Sequence, residues 1–205
     1  MTRKVQNTRK MLIEIARDLF AERGKSNVTM NDIAEKSQKG RRTLYTYFAS
    51  KDEIYHTIIQ DELNYILQVL QVVQDTNADP EKKLTNHIIS HLDAIKTVVS
   101  RNGSLRADFF RDIYEVERIR RRTDKMEIEM IKKILADGVN TGVFKPINIE
   151  LSAVITFYAI KGIEAPYIRL SLSDVFEKNK NSIVDSILRG VISRDKLKQI
   201  GRAHV

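Results

Sequence analysis

The chain contains no cysteine. A disulfide framework, a thiol nucleophile and a Cys-ligated zinc are therefore excluded, and a reducing compartment suits it. Proline and glycine are scarce, at three and eight among 205 residues. No apolar run approaches the roughly 18 residues that a membrane span needs. The start, MTRKVQNTRK, has no apolar h-region, so no secretory signal is read there and a cytoplasmic location is expected. A Gly-rich phosphate loop, an H-E-x-x-H pair and a G-x-S-x-G elbow are all missing. No catalytic residue, cofactor or metal is assigned, and an enzyme is not expected.

What the chain does have is positive charge gathered at one end. Residues 1–52 hold twelve Lys and Arg against six Asp and Glu, which is +6 of the total +8. Such an excess suits a polyanion partner, although a basic solvated surface would look the same.

Apolar residues recur at helical spacing along most of the chain, which predicts an all-α fold. A first helix is expected over about Arg3–Arg23, with Gly24 ending it. Thr29-Met30-Asn31-Asp32 reads as a capping box opening a short second helix. A third short helix follows over about Arg41–Phe48, and Ser50-Lys51-Asp52-Glu53 starts a long fourth one. With barely a residue between these last two, motion of the C-terminal body should reach the third helix. Asp79-Pro80 starts a helix that reaches about Ser100. Further helices are expected over Ser104–Ile119, Asp124–Asn140, Asn148 to about Leu170 with Pro166 as a kink, and Asp174–Ser193.

Helix, short helix, turn, short helix is the order of a helix-turn-helix unit, in which the last helix enters the DNA major groove. Ile33, Ala34, Leu44 and Phe48 would fill its interior. The outward face of the third helix would then carry Arg41, Arg42, Thr43, Tyr45 and Tyr47. Arginine forks onto guanine or phosphate, and Thr and Tyr hydroxyls bond phosphate. Thr29 and Lys51 stand at helix starts, where backbone N–H groups favour an anion.

The stretch VTMNDIAEKS…TLYTYFASKDEIY resembles the TetR family of bacterial transcriptional regulators. The residues that carry the resemblance are Ile33-Ala34, Thr43-Leu44-Tyr45, Tyr47-Phe48 and Ser50-Lys51-Asp52. The close match covers about Leu12–Tyr55, with looser likeness at IKKILADGVNTGVFKP and AIKGIEAPYI. It implies an N-terminal helix-turn-helix DNA-binding domain over residues 1–49 and a C-terminal helical ligand-binding and dimerisation domain over 50–199. It also implies a homodimer on a double-stranded DNA operator, released by a small-molecule effector. Carried over by position, Thr29, Tyr45, Tyr47 and Lys51 would mostly touch phosphate, and Arg41 and Thr43 would face bases. Three positions depart from the family pattern. Gln38 replaces the turn glycine, Lys39 stands where valine plugs the turn, and Arg42 replaces a glycine. Either the Lys39 stem covers the gap with its head in water, or the turn is reshaped. Lys39 and Arg42 bring two extra cations to the DNA-facing surface.

In the body, His87 and His91 lie one helical turn apart. Two polar side chains, a ligand-facing pair and half a metal site all suit that spacing, although no nearby carboxylate completes a metal site from sequence alone. Phe109, Phe110, Tyr114, Phe157 and Tyr158 suit either core or pocket wall. Ile155, Ala159, Ile163, Ile183, Ile187, Gly190 and Val191 form the expected dimer face. Ile200–Val205, IGRAHV, matches one reading frame of a common sequencing adapter and is read as a non-native tail. Two alternatives to the regulator remain: an architectural DNA binder that reads no sequence, and a helical small-molecule carrier.

Overall fold

The computed structural model describes residues 3–102, 113–145, 148–168 and 178–190. Among these, eight α-helices occur: α1 Arg3–Arg23, α2 Met30–Lys36, α3 Arg41–Tyr47, α4 Lys51–Gln74, α5 Pro80–Asn102, α6 Ile113–Asn140, α7 Ile149–Ile168 and α8 Lys180–Leu188. The chain divides into two compact units, one of residues 1–64 and 97–121, the other of residues 65–96 and 122–205.

In the first unit, Leu12, Ala16, Leu19 and Phe20 of α1 are buried, as are Ile33 and Ala34 of α2 and Leu44 of α3. The α2 helix packs on both α1 and α3. Phe20 meets Tyr55 of α4 edge-on, with ring centroids 6.4 Å apart. Local signals set the helix ends. Gly24 has φ +80°, a value only glycine adopts freely. Its N–H closes α1 onto the Phe20 carbonyl oxygen. Thr29 and Asp32 form the expected reciprocal box at the start of α2. At α4, Glu53 N–H donates to Ser50 Oγ, and the Glu53 carboxylate accepts from Ala49 N–H rather than from Ser50.

The second unit buries Leu84, Ile88 and Leu92 of α5 with Ile131, Ile134 and Leu135 of α6. Ala153, Phe157 and Ile160 of α7 and Val184 and Leu188 of α8 complete that core. Asp79 caps α5 through its bond from Lys82 N–H, and Asn148 caps α7 through its bond from Leu151 N–H. The end of α6 is a Schellman turn: Val143 N–H reaches the Gly138 carbonyl oxygen and Gly142 N–H reaches that of Val139, with Gly142 at φ +74°. Gly138 has a second reason to be glycine, because a Cβ there would lie 1.9 Å from the Phe144 ring.

One expected boundary is absent. Thr123-Asp124 looks like a helix start, yet α6 runs unbroken from Ile113 to Asn140. Thr123 is buried within it. No glycine or proline interrupts the segment before Gly138, so continued helix keeps every backbone hydrogen bond. The α7 helix likewise continues past Pro166 to Ile168. Residues 104–112, the ends of the helix expected over 174–193, and the tail lie outside the described residues.

Candidate functional site

The α2–α3 pair is built to present α3. Leu44 and Phe48 are buried, which fixes the helix by its inner face. Arg41, Arg42, Thr43, Tyr45 and Thr46 are exposed, and Tyr47 is half-buried. The Arg41 guanidinium lies over the Tyr45 ring, 5.6 Å from its centroid. Such a cation–ring contact orients both side chains within the presented face. Neither Arg41, Arg42 nor Lys39 forms an ion pair among the described residues. Their placement is also unfavourable for the isolated helix. The first turn of α3 holds no acid and two arginines, at the end where the helix dipole prefers negative charge. An external anion would remove that conflict.

The turn itself answers the question raised by Gln38 and Lys39. Lys39 N–H bonds the Ala34 carbonyl oxygen at 3.1 Å and Gln38 N–H bonds that of Glu35 at 3.0 Å. This is a second Schellman turn, with Gln38 in the left-handed position at φ +52°. The backbone keeps the geometry that glycine usually supplies, with a strained residue in its place. Lys39 is exposed rather than plugging the turn. Buried Ser37 fills the inside, its hydroxyl donating to the Ala34 carbonyl oxygen at 2.9 Å.

Two flanking residues are already engaged. The Thr29 hydroxyl donates to Asp32 Oδ2 at 2.7 Å, and that bond holds the Asp32 carboxyl below its usual range. Lys51 Nζ donates to the Lys25 carbonyl oxygen at 2.8 Å. Lys25 pairs with Asp52 at 3.0 Å and lies over the Tyr55 ring. These contacts brace the start of α4 and leave Lys51 two further N–H donors.

A second polar assembly sits in the other unit. His87 and His91 of α5 are buried, together with Glu127 of α6 and Glu164 of α7. Glu127 Oε1 lies 3.3 Å from His87 Nε2 and 2.7 Å from His91 Nδ1. His91 Nε2 lies 2.7 Å from Glu164 Oε1, and Lys161 Nζ lies 2.9 Å from the same oxygen. The His91 ring thus has a carboxylate at each nitrogen, an arrangement only the imidazolium satisfies. Burial alone would lower its pKa, but Glu127 and Glu164 together raise it to about 9. Burial would raise the Glu127 carboxyl, but charged His91 and the hydrogen bonds from both histidines hold it well below the carboxylate range.

Sequence reasoning found the two histidines and missed their partners. The available signal was an isolated acid inside an apolar helical run, as with Glu164 in AIKGIEAPYI. No group of three or more His, Asp or Glu side chains among the described residues is arranged to hold a metal ion. Phe157 is buried in the core, and its ring lies 5.2 Å from that of Tyr158. Tyr158, expected in the core or at a pocket wall, is 65% exposed on α7. There it joins Leu151 and Ile155 as an exposed apolar stripe along α7. Ala159 and Ile163 of α7 and Ile183 and Ile187 of α8 are half-buried, and Gly190 is exposed. Phe109, Phe110, Val191 and the Tyr114 side chain lie outside the described residues.

A short cationic helix, held by its apolar side and presented by a braced neighbour, defines a helix-turn-helix protein. Residues 12–58 match the bacterial regulatory proteins of the tetR family. Over 151 residues the chain is 27% identical to the HTH-type transcriptional repressor KstR2 of Mycolicibacterium smegmatis (strain ATCC 700084 / mc(2)155), covering 71% of each chain. It is 37% identical over 82 residues to an HTH-type transcriptional regulator of Staphylococcus aureus (strain bovine RF122 / ET3-1), covering 40% of this chain and 44% of that one. A transcriptional regulator from Cytophaga hutchinsonii ATCC 33406 shares the fold with a TM-score of 0.73 at 20% identity, covering 90% of this chain and 98% of that one. The ketosteroid transcriptional regulator KstR2 of Mycobacterium tuberculosis shares it with a TM-score of 0.56 at 21% identity, covering 91% and 95%. The N-terminal helix-turn-helix region thus matches the tetR family of bacterial regulatory proteins, and the fold is shared with transcriptional regulators along most of the chain. No helix among the described residues is long and apolar enough to cross a membrane.

Proposed function

We propose that this protein is an effector-responsive transcriptional repressor of the cytoplasm. It binds a near-palindromic operator as a homodimer, with each α3 in a major groove, and is released by a small molecule taken up in the second unit. The observation that carries this reading is the exposed face of α3, which presents Arg41, Arg42, Thr43 and Tyr45, with neither arginine in an ion pair among the described residues. Arg41 and Thr43 read bases, while Tyr45, Tyr47, Lys51 and Thr29 hold phosphates. Thr29 does so chiefly as the helix start, since its hydroxyl is engaged.

The apolar stripe of α7 supports the dimer. Leu151, Ile155 and Tyr158 recur at helical spacing and are each more than half exposed, which is unusual for large side chains on a single stripe. A second copy would cover them. The curated relative named as a repressor supports repression over activation.

Operator selection from a random duplex pool tests the reading. A two-fold symmetric consensus, bound with steep salt dependence, is the expected result. Retention of duplexes without any consensus would instead make this an architectural binder. No retention at low salt would leave only the carrier.

A further inference from the structure

The geometry points to Tyr45 as a positioning residue for base reading: its ring holds the Arg41 guanidinium in place for the base pair that Arg41 discriminates. This rests on the regulator reading above and adds the residue through which that discrimination is set.

Two neighbouring arginines stand in unequal settings. Arg41 and Arg42 are both exposed in the first turn of α3, and neither forms an ion pair among the described residues. One helical turn beyond Arg41 is Tyr45, and the Arg41 guanidinium lies 5.6 Å from the centroid of that ring. One turn beyond Arg42 is Thr46, whose hydroxyl donates to the Arg42 carbonyl oxygen at 3.0 Å. Arg42 has no ring to rest on there.

That difference matters because a long side chain loses rotamer freedom when it binds. The ring restricts Arg41 beforehand and leaves Arg42 free. A guanidinium fork that must meet two acceptors on one guanine edge gains from being held. A contact to phosphate fixes no base and gains less. Arg41 is also the first residue of α3, and the N-terminal residues of a recognition helix are those that reach base edges.

The Tyr45 ring has no internal task that accounts for its place. Elsewhere in the first unit, Arg9 of α1 lies over Phe48 at 4.8 Å and Lys25 lies over Tyr55 of α4 at 4.0 Å. Both of those rings are buried, and both contacts tie separate elements together. The Arg41–Tyr45 contact joins two residues of one helix. Tyr45 is 43% exposed, and among the described residues of the first unit no other large apolar side chain is as exposed. An exposed cation–ring contact contributes little to stability. Its consequence lies in the surface it shapes.

The test uses the full-length protein with Tyr45→Phe, Tyr45→Leu and Arg41→Ala, and with the last two combined. Operator selection scores base preference at each position. Tyr45→Phe keeps the ring and should keep the preference at the Arg41 base pair, while binding every duplex more weakly through its lost hydroxyl. Tyr45→Leu keeps apolar bulk without the ring. It should reduce that preference by about two- to fivefold, the range an exposed cation–ring contact supplies. In the Arg41→Ala background, Tyr45→Leu should change the preference at that base pair no further. Proton NMR of the free protein gives a readout without DNA. The Arg41 δ-methylene protons should be shifted upfield by the ring in wild type and Tyr45→Phe, and not in Tyr45→Leu. The inference fails if Tyr45→Leu keeps the full preference, if Tyr45→Phe loses it equally, if preference falls alike at every position, or if the Arg41 protons show no ring shift. A symmetric consensus that Tyr45→Leu leaves intact refutes the positioning role alone. A wild type that selects no consensus refutes the regulator reading and this inference with it.

Discussion

The ammonium of Lys51 donates to the backbone carbonyl oxygen of Lys25 at 2.8 Å, tying the first residue of α4 to the turn that follows α1. A residue proposed to meet phosphate is therefore also a strut within its own unit. Lys51→Ala should show both roles. Binding should weaken alike on operator and unrelated duplexes, with the salt slope reduced by about one counterion. Thermal stability should fall by about 1 kcal/mol, the usual net contribution of an intramolecular hydrogen bond, because this one is only part-buried. Fluorescence anisotropy across a salt series, with calorimetry in parallel, checks both. An unchanged salt slope would remove Lys51 from the interface.

Arg41 and Arg42 are adjacent on α3, and their variants should separate by role. Arg41→Ala should relax sequence preference at one base pair of each half-site by about 1–3 kcal/mol. Arg42→Ala should weaken all duplexes together, as a phosphate contact does. Selection with each variant, scored per position, distinguishes these outcomes. Loss of preference at the same position in both variants would show that the arginines were assigned the wrong partners.

The turn before α3 holds a non-glycine residue, Gln38, at φ +52° in a Schellman position. Gln38→Gly should relieve that strain and stabilise the protein by about 0.5–1 kcal/mol, after the added backbone freedom of the unfolded glycine is counted. Denaturant unfolding measures it. A destabilised variant would mean that the Gln38 side chain makes a contact worth more than its backbone strain.

This turn also shows what the sequence could convey. Gln38-Lys39-Gly40 departs from the family pattern, yet the backbone hydrogen bonds from Gln38 and Lys39 reproduce the ordinary turn. Local hydrogen bonding specified the shape, and the unfamiliar side chains simply face outward. The ends of α1, α2, α4 and α5 were legible for the same reason: Gly24, Thr29, Ser50 and Asp79 act on backbone groups only a few residues away. The unbroken α6 was not, because a Thr-Asp pair looks alike whether it caps a helix or lies within one. The buried assembly was half legible. His87 and His91 share a helix face by spacing alone, but Glu127 and Glu164 are 40 and 73 residues from the histidines they meet. No local pattern encodes such pairing.

A long-range ion cluster of the same kind holds the first unit. Glu62 of α4 is almost fully buried. It accepts from Arg101 Nε at 2.8 Å and from Asn102 at 3.1 Å, and faces Arg17 of α1 at 3.5 Å. Arg101 also brings its terminal guanidinium nitrogen onto the same carboxylate. Glu62→Ala leaves two arginines without their shared anion and should destabilise the protein by about 3 kcal/mol, at the lower end for a broken buried pair because Arg101 is partly exposed. Glu62→Gln keeps the volume and should lose less. Equal stability of the alanine variant and wild type would mean that water replaces the carboxylate at no penalty.

The His91 assembly makes stability depend on pH with a definite sign. The folded pKa of His91 is raised from 6.5 to about 9. Its stabilising contribution is therefore complete below pH 6.5 and is lost as the pH rises through about 9. Glu127 behaves oppositely: its depressed pKa contributes stability above the ordinary value of 4.5 that is lost on acidification below it. Together they place the maximum of this contribution between pH 4.5 and 6.5. Between pH 6.5 and 9 the wild type should lose up to about 3 kcal/mol, the upper limit if the whole shift is expressed. His91→Gln should be less stable than wild type at pH 6 and should lose much less over that interval, because no imidazolium remains to be discharged there. The other histidines are present in both proteins, so the difference between the two pH curves isolates His91 to first order. Urea midpoints at pH 6, 7.5 and 9 provide the measurement. Parallel curves for the two proteins would mean that His91 is not held as the imidazolium between Glu127 and Glu164.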